Sequence, residues 1–438
     1  MDPADTSNLM RSEAELLLQE SRKKKAEKIK TLGSPIELAG VALGLEIRGN
    51  HAWIAENTAV ARKVDLETGR TLQLFRGHSA PLTCLAFFDK VQGSGAGDML
   101  VTGSWDKVTN MLPSKYGIPR HTKKLISSTL AHSDFVKALF VIPSLQLLIS
   151  GSSDKIVRFW DLSAYQNGQP LQSTGSISAH LRPVEAFSAR VMGDSAILYT
   201  ADTMGMMKVW KLTREDGSAS RWKTTLLEEL NHHRTRINEI VCDNGMLWTA
   251  SSDDTVQVVP ADTSTASSTS KPAPPIVHPT AVRAVLPLLE NYLLTGAGDV
   301  IRLYDVCALD EPELLSEVDG HWHDVTMLRV WMRKRPQAEG HPKGAVAVEP
   351  WVVSASLDGT LRKWNLAGES CVVRVCRFGR QMRTLIGAFG RADMMQSSGP
   401  KAPPQAEEKP QKLAPTGAFQ MSEEEERELA ELMSDDDE

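Results

Sequence analysis

Five cysteines, an odd number without a single Cys-x-x-Cys pair, leave the 438-residue chain without a disulfide framework or a thiolate zinc site. No Asn-x-Ser/Thr acceptor occurs. No stretch approaches the roughly eighteen uninterrupted apolar residues that a spanning helix needs. The most apolar one, residues 136–149, contains Lys137 and Pro143 and reads as two strands joined by a turn. The N-terminus (MDPADTSNLMRSEAELLL) opens polar and acidic, unlike a secretory leader. Together these absences predict an intracellular protein with no membrane partner.

Catalytic signatures are missing too. The glycine-rich run Gly93–Gly97 (GSGAG) lacks the Lys-Ser/Thr that completes a phosphate loop, and reads as a hairpin loop. There is no GxSxG elbow, no HExxH and no deaminase signature. The cysteines lie in strand-like or apolar contexts, where a buried thiol is inert. No cofactor, metal ligand or catalytic residue is expected. Surplus charge is absent from the body of the chain as well. Net charge is -6, but residues 422–438 hold ten acids and one base, and without them 48 basic residues face 45 acidic ones. A near-neutral body gives no reason to expect direct nucleic-acid binding.

What is present is a repeat. Two or three apolar residues, a small hydroxyl residue, a tight turn, a short alternating run and an aromatic recur from Leu100 (LVTGSWDKVTNML), Leu148 (LISGSSDKIVRFWDL) and Leu198 (LYTADTMGMMKVWKL). They return from Leu247 (LWTASSDDTVQVV), Leu293 (LLTGAGDVIRLYDV) and Val352 (VVSASLDGTLRKWNL). The turn positions are Asp106, Asp154, Met204, Asp253, Asp299 and Asp358, spaced 48, 50, 49, 46 and 59 residues apart. A propeller blade takes roughly 40–45 residues, so these spacings fit one blade each with loop insertions. A histidine precedes most copies, at His78, His132, His180, His232–His233, His278 and His321. Residues 51–75 read as a degenerate first copy, with Val64 in the aromatic position.

This paired grammar resembles the WD-repeat family over residues of about 44 to 378. The resemblance implies an all-β fold, a seven-bladed β-propeller, with six blades the alternative count; outside it, the residues themselves add a short N-terminal helix and a disordered acidic C-terminal tail. It implies that His, Ser/Thr, Asp and Trp form a hydrogen-bonded tetrad inside a blade: His132, Ser150, Asp154 and Trp160 in the third, His321, Ser354, Asp358 and Trp364 in the seventh. Elsewhere a member is replaced: Leu112 and Val259 stand at the Trp position, Met204 at the Asp position, and Tyr304 follows a shorter turn in the sixth. Complete tetrads are therefore expected only in the third and seventh blades. The outer strand of the last blade comes either from residues 370–378 or from the segment starting at Ile36. In the family, the loops between blades share a rim with the Asp-bearing turns. That rim would carry Trp105, Phe135, Arg182, Arg234, Arg236, Trp322 and His323, residue types that dominate protein interfaces.

The expected organisation is an N-terminal charged helical extension (1–35), the propeller (36–378), a Pro/Gln/Lys-rich linker (379–421) and the acidic tail (422–438). Ser422 and Glu425 match a capping box, and Leu429, Leu432 and Met433 line one side of the tail. Ser422 and Ser434 precede acidic runs and are candidate phosphorylation sites. The basic run Arg22–Lys25 suits nuclear import or an acidic partner, which tilts the expected location towards the nucleus. The function these features point to is an intracellular scaffold or adaptor holding other proteins in a complex. The alternatives are a propeller hydrolase and an acidic-tailed chaperone for basic proteins.

Overall fold

Middle strands that are small or apolar at nearly every position require cover on both faces. In the computed structural model they receive it from neighbouring blades. The structure describes residues 13–89, 99–114, 127–163, 169–215, 221–261, 273–288, 291–334 and 348–366. Their strands form seven four-stranded antiparallel sheets. Six are meanders of consecutive strands, at residues 42–75, 82–130, 136–177, 184–230, 237–277 and 282–318, here blades 1 to 6. Blade 7 takes three strands from residues 325–365 and its fourth from Ile36–Glu37.

Burial follows the position of each strand in its blade. The second strand of blade 3, Leu147–Ser152, is buried at every residue. The outermost strand of blade 1, Thr71–Phe75, is buried only at Phe75. The core therefore lies between blades: Ile149 and Phe159 of blade 3 pack with Phe187, Leu198 and Trp210 of blade 4. Each such side chain contributes about 1.5–3 kcal/mol by leaving water, but only once the neighbouring blade is in place. The close approach also fixes Gly151, where an added Cβ would fall 2.6 Å from the Phe187 ring.

The innermost strand of blade 7 packs against that of blade 1, where Met327 and Trp331 join Leu45 and Ile54 in one cluster. Closure of the outer edge rests on a very short strand: Ile36 pairs with Leu361 and Glu37 with Thr360. The preceding chain reinforces it. Helix α1 (Glu13–Lys28) leads into a turn whose Ile29 and Leu32 carbonyls accept from Arg362 Nη1, the first at 2.7 Å. The Lys363 N–H donates to the Gly33 carbonyl at 2.7 Å. Lys25 Nζ pairs with Asp299 Oδ2 at 2.6 Å and with Asp319. Of the two segments considered for the outer strand, the N-terminal one does the work; residues 370–378 lie outside the described residues, as do the linker and the acidic tail.

Candidate protein-binding rim

Each Asp-bearing turn bends back onto the loop that enters its own blade. The backbone N–H groups of Trp105, Ser153, Thr203, Ser252 and Leu357 donate to the carbonyls of Pro81, Phe135, Pro183, Arg236 and Asp324 at 2.9–3.1 Å. Turns and entry loops are thereby joined along one rim, and the histidines lie beneath it.

In blade 3, His132 Nδ1 donates to Asp154 Oδ2 at 3.0 Å and its Nε2 accepts from Ser150 Oγ at 2.7 Å, while Trp160 Nε1 donates to Ser150 Oγ at 2.9 Å. Blade 7 repeats this with His321 to Asp358 at 2.8 Å, Ser354 to His321 at 2.7 Å and Trp364 to Ser354 at 2.8 Å. Blades 2 and 5 form the histidine part alone, through His78, Thr102 and Asp106 and through His233, Thr249 and Asp253. Of the two adjacent histidines in blade 5, His233 is thus the structural one. Burial holds His78, His132, His233 and His321 below the ordinary imidazole value, with the facing carboxylates pulling the other way. Burial pushes the Asp154 carboxyl up, but His132 and the Ile156 and Ser133 N–H groups together bring it below its ordinary value.

The other blades depart from this pattern for physical reasons. Blade 4 has a complete tetrad, against the expectation that only the third and seventh would. Asp202, two residues before Met204, accepts from His180 Nδ1 at 3.2 Å. Thr200 donates to His180 Nε2 at 2.7 Å and accepts from Trp210 Nε1 at 3.0 Å. Asp202 also accepts from the Met204 N–H at 2.9 Å, closing the turn from the other side. In blade 6 the turn is cut to Gly298 and Asp299, because Ala297 pairs with Val300. The left-handed residue follows the turn Asp in blades 2, 3, 5 and 7 (Lys107, Lys155, Asp254, Gly359), whereas in blade 6 it is Gly298, before Asp299. Asp299 is carried past the histidine and meets Lys25 instead. His278 Nδ1 donates to the Ile276 carbonyl at 3.2 Å, and Tyr304 lies edge-on to its ring at 5.5 Å. Blade 1 lacks the histidine altogether: Ile54 and Val64 fill the space, and buried Glu56 pairs with Arg62.

Above these networks the outward side chains connect from blade to blade. Trp105 of blade 2 stacks on Phe135 of blade 3 at 5.1 Å and 17°. Both rings remain more than a third exposed, at 38% and 37%. Lys137 Nζ lies 5.5 Å from the Trp105 ring and 3.5 Å from Glu185 of blade 4, and Glu185 pairs with Arg236 of blade 5 at 2.5 Å. Deeper in the channel, Arg329 of blade 7 donates to Glu239 of blade 5 at 2.7 Å, and Glu239 accepts from the Val285 N–H of blade 6 at 2.9 Å. Burial raises the carboxyl of neighbouring Glu46, with Arg329 and Arg48 opposing. These contacts tie blades together and present no metal-binding group of His, Cys, Asp or Glu among the described residues.

The sequence profile of the WD domain, G-beta repeat, matches residues 69–110, 123–161 and 334–365. With seven blades and their tetrads in place, that match identifies the repeats of three of them. The chain is a seven-bladed propeller carrying WD repeats. It is 25% identical over 380 residues to an uncharacterized WD repeat-containing protein of Schizosaccharomyces pombe, covering 84% of this chain and 90% of that one. Shorter similarities link it to the kinesin-like protein KIF21A of Homo sapiens, 26% identical over 49% of this chain and 12% of the relative. The nuclear distribution protein PAC1 of Candida tropicalis is 44% identical over 16% of this chain and 12% of its own length.

The WD-repeat propeller brings together some residues expected on the rim and separates others. Trp105, Phe135 and Arg236 belong to the connected arc over blades 2 to 5. Arg182 and Arg234 extend from the same arc, exposed and without an ion pair among the described residues. Trp322 and His323 sit apart on blade 7, partly buried, with the Trp322 N–H donating to Asp358 and the Asp324 N–H to His323. Lys137 and Glu185 were not anticipated; both stand one residue after the first inner-strand residue of their blades. Of the cysteines, Cys84 and Cys242 lie in inner strands, and burial raises the Cys84 thiol to about 12. Cys307, against expectation, is exposed just after a strand end. Ser422 and Ser434 lie outside the described residues. No helix among the described residues is long and apolar enough to cross a membrane.

Proposed function

We propose that this WD-repeat propeller is a protein-interaction scaffold that holds its partners on the rim carrying the Asp turns. WD-repeat propellers generally act this way, and relatives named for kinesin-like and nuclear distribution proteins are compatible with work inside assemblies. The observation that carries the reading is the division of labour around Trp105 and Phe135. In blades 2, 3, 4, 5 and 7 the histidine and the aspartate, the residues best suited to chemistry, are bound to each other inside the blade. The stacked aromatic pair above them is left facing solvent. Exposed aromatics that retain a fixed geometry cost little entropy to bind and are typical interface anchors.

The test is affinity purification of the full chain from its native cell, beside Trp105→Ala and an outer-strand control, Leu227→Ser. The reading expects stoichiometric partners that Trp105→Ala loses and Leu227→Ser keeps. A protein that comes alone and turns over a small ester or phosphate substrate would instead be the propeller hydrolase. Partners lost only when residues 422–438 are deleted, in a salt-sensitive way, would favour the chaperone for basic proteins.

A further inference from the structure

The relocation of the carboxylate in blade 4 has a consequence at the surface. In blades 2, 3, 5 and 7 the turn Asp also accepts from the N–H of the residue after the histidine: Ser79, Ser133, Arg234 and Trp322. In blade 4 the carboxylate comes from Asp202, which accepts from the Met204 N–H, so the side chains at positions 181 and 204 have no part in the network. Both carry aliphatic residues, and both project outward: Leu181 is 82% exposed and Met204 54%. The Thr203 N–H to Pro183 carbonyl bond holds their two segments together at 3.1 Å. Gly205 fixes the turn against blade 5, since its φ is +82° and an added Cβ would lie 2.5 Å from the His233 carbonyl.

The arc therefore has two apolar footholds, Trp105 with Phe135 across blades 2 and 3, and Leu181 with Met204 on blade 4. The other exposed Leu and Val side chains lie on outer strands, on α1 (Leu16, Leu17 and Leu18) and near the ends of two longer strands (Val191 and Val348). The outward charges around the footholds are cationic: Lys107, Lys155, Arg182 and Arg234 are exposed without ion pairs among the described residues. The acidic groups are recessed. Asp106, Asp154, Asp202 and Asp253 bond their histidines, Glu185 lies between Lys137 and Arg236, Asp134 accepts from the Phe135 N–H, and Asp254 is half-buried in its turn.

We propose that this arc binds an acidic extended segment of a partner protein, with two apolar side chains seated on the Trp105–Phe135 stack and the Leu181–Met204 corner. The proposal rests on the scaffold reading and specifies the partner's chemistry. Spaced carboxylates can meet the outward cations between the recessed anions. A phosphate backbone, charged at every nucleotide, would run over those anions, which disfavours nucleic acid here.

The probe is a phage-displayed random peptide library, panned on the full wild-type chain and counter-selected on two variants, Arg182→Glu/Arg234→Glu and Leu181→Ser/Met204→Ser. The expected consensus is acidic with two apolar positions. Peptides made from it should bind wild type at least tenfold more tightly than either variant and weaken as salt rises. A basic or uncharged consensus that still needs these residues would overturn the chemistry and leave the scaffold rim standing. Failure to enrich, or peptides indifferent to both variants, would overturn the arc as a docking site. Single-stranded oligonucleotide binding that Arg182→Glu/Arg234→Glu abolishes would overturn the choice of a protein segment.

Discussion

Blades 4 and 6 each lose the usual turn carboxylate, and they recover in opposite ways. Blade 4 keeps a carboxylate on its histidine by moving it two residues earlier, to Asp202. Blade 6 keeps Asp299 in the sequence position but gives it to Lys25, leaving His278 to a backbone carbonyl. The histidine and its hydroxyl partner persist in both. The lesson is that a buried imidazole must have its Nδ1–H accepted, but which oxygen accepts is open. Where the acceptor lies then decides what becomes free elsewhere: two surface aliphatics in blade 4, an anchor for α1 in blade 6.

The largest expected effect separates the two carboxylates. Asp202→Ala orphans His180 and two turn N–H groups in a buried site, and should cost about 4 kcal/mol. Asp299→Ala breaks only a partly exposed ion pair and should cost under about 1 kcal/mol. Denaturant midpoints of the full chain measure both. Equal losses would remove the distinction. In the double variant Asp202→Ser/Met204→Asp, which restores the arrangement of blade 3, stability should return to within about 1 kcal/mol of wild type; no recovery over Asp202→Ser would mean that the carboxylate is not portable.

Acid should separate the blades next. Burial, unrelieved by a carboxylate, lowers His278 to about 4, with nearby Arg302 adding to the effect. Below its ordinary 6.5, the unfolded chain takes a proton that the folded site refuses. The contribution is full above that value and drains as pH falls to about 4, amounting to about 3 kcal/mol. The Asp202 carboxyl, pushed up by burial but brought below its ordinary value by His180 and the Met204 and Met206 N–H groups, keeps its contribution until pH falls through that lower range. Replacing His278 with Asn should therefore flatten the stability profile between pH 6.5 and 4 by up to one proton, while Asp202→Asn should leave that window unchanged. The smallest effect concerns the strap. Lys25→Met should change the midpoint by under about 1 kcal/mol yet speed proteolysis within α1; unchanged cleavage would mean that Lys25 does not hold the helix.

Much of this was legible in the sequence because it repeats. Six turns at blade spacing, each with an upstream histidine, are local patterns, and the middle strands announce themselves by apolar content. The register of blade 4 was readable in principle: Asp202 stands where Ser152 stands in blade 3, close enough to reach the histidine. A motif defined by fixed positions does not contain this second geometry. The exposed Leu181 and Met204 carry no signal in a single sequence, since an aliphatic residue beside a strand reads as core. Closure was undecidable for a different reason. A two-residue strand has no periodicity, and Lys25 with Asp299 is a contact across 274 residues that no local pattern encodes.

The measurement that bears most directly on the whole account pairs two readings on one purified variant, Trp105→Ser/Phe135→Ser. If tetrads carry the architecture and the rim carries recognition, its denaturation midpoint will match wild type while its partners are lost. Retained partners at an unchanged midpoint, or partners lost only in step with a falling midpoint, would contradict it.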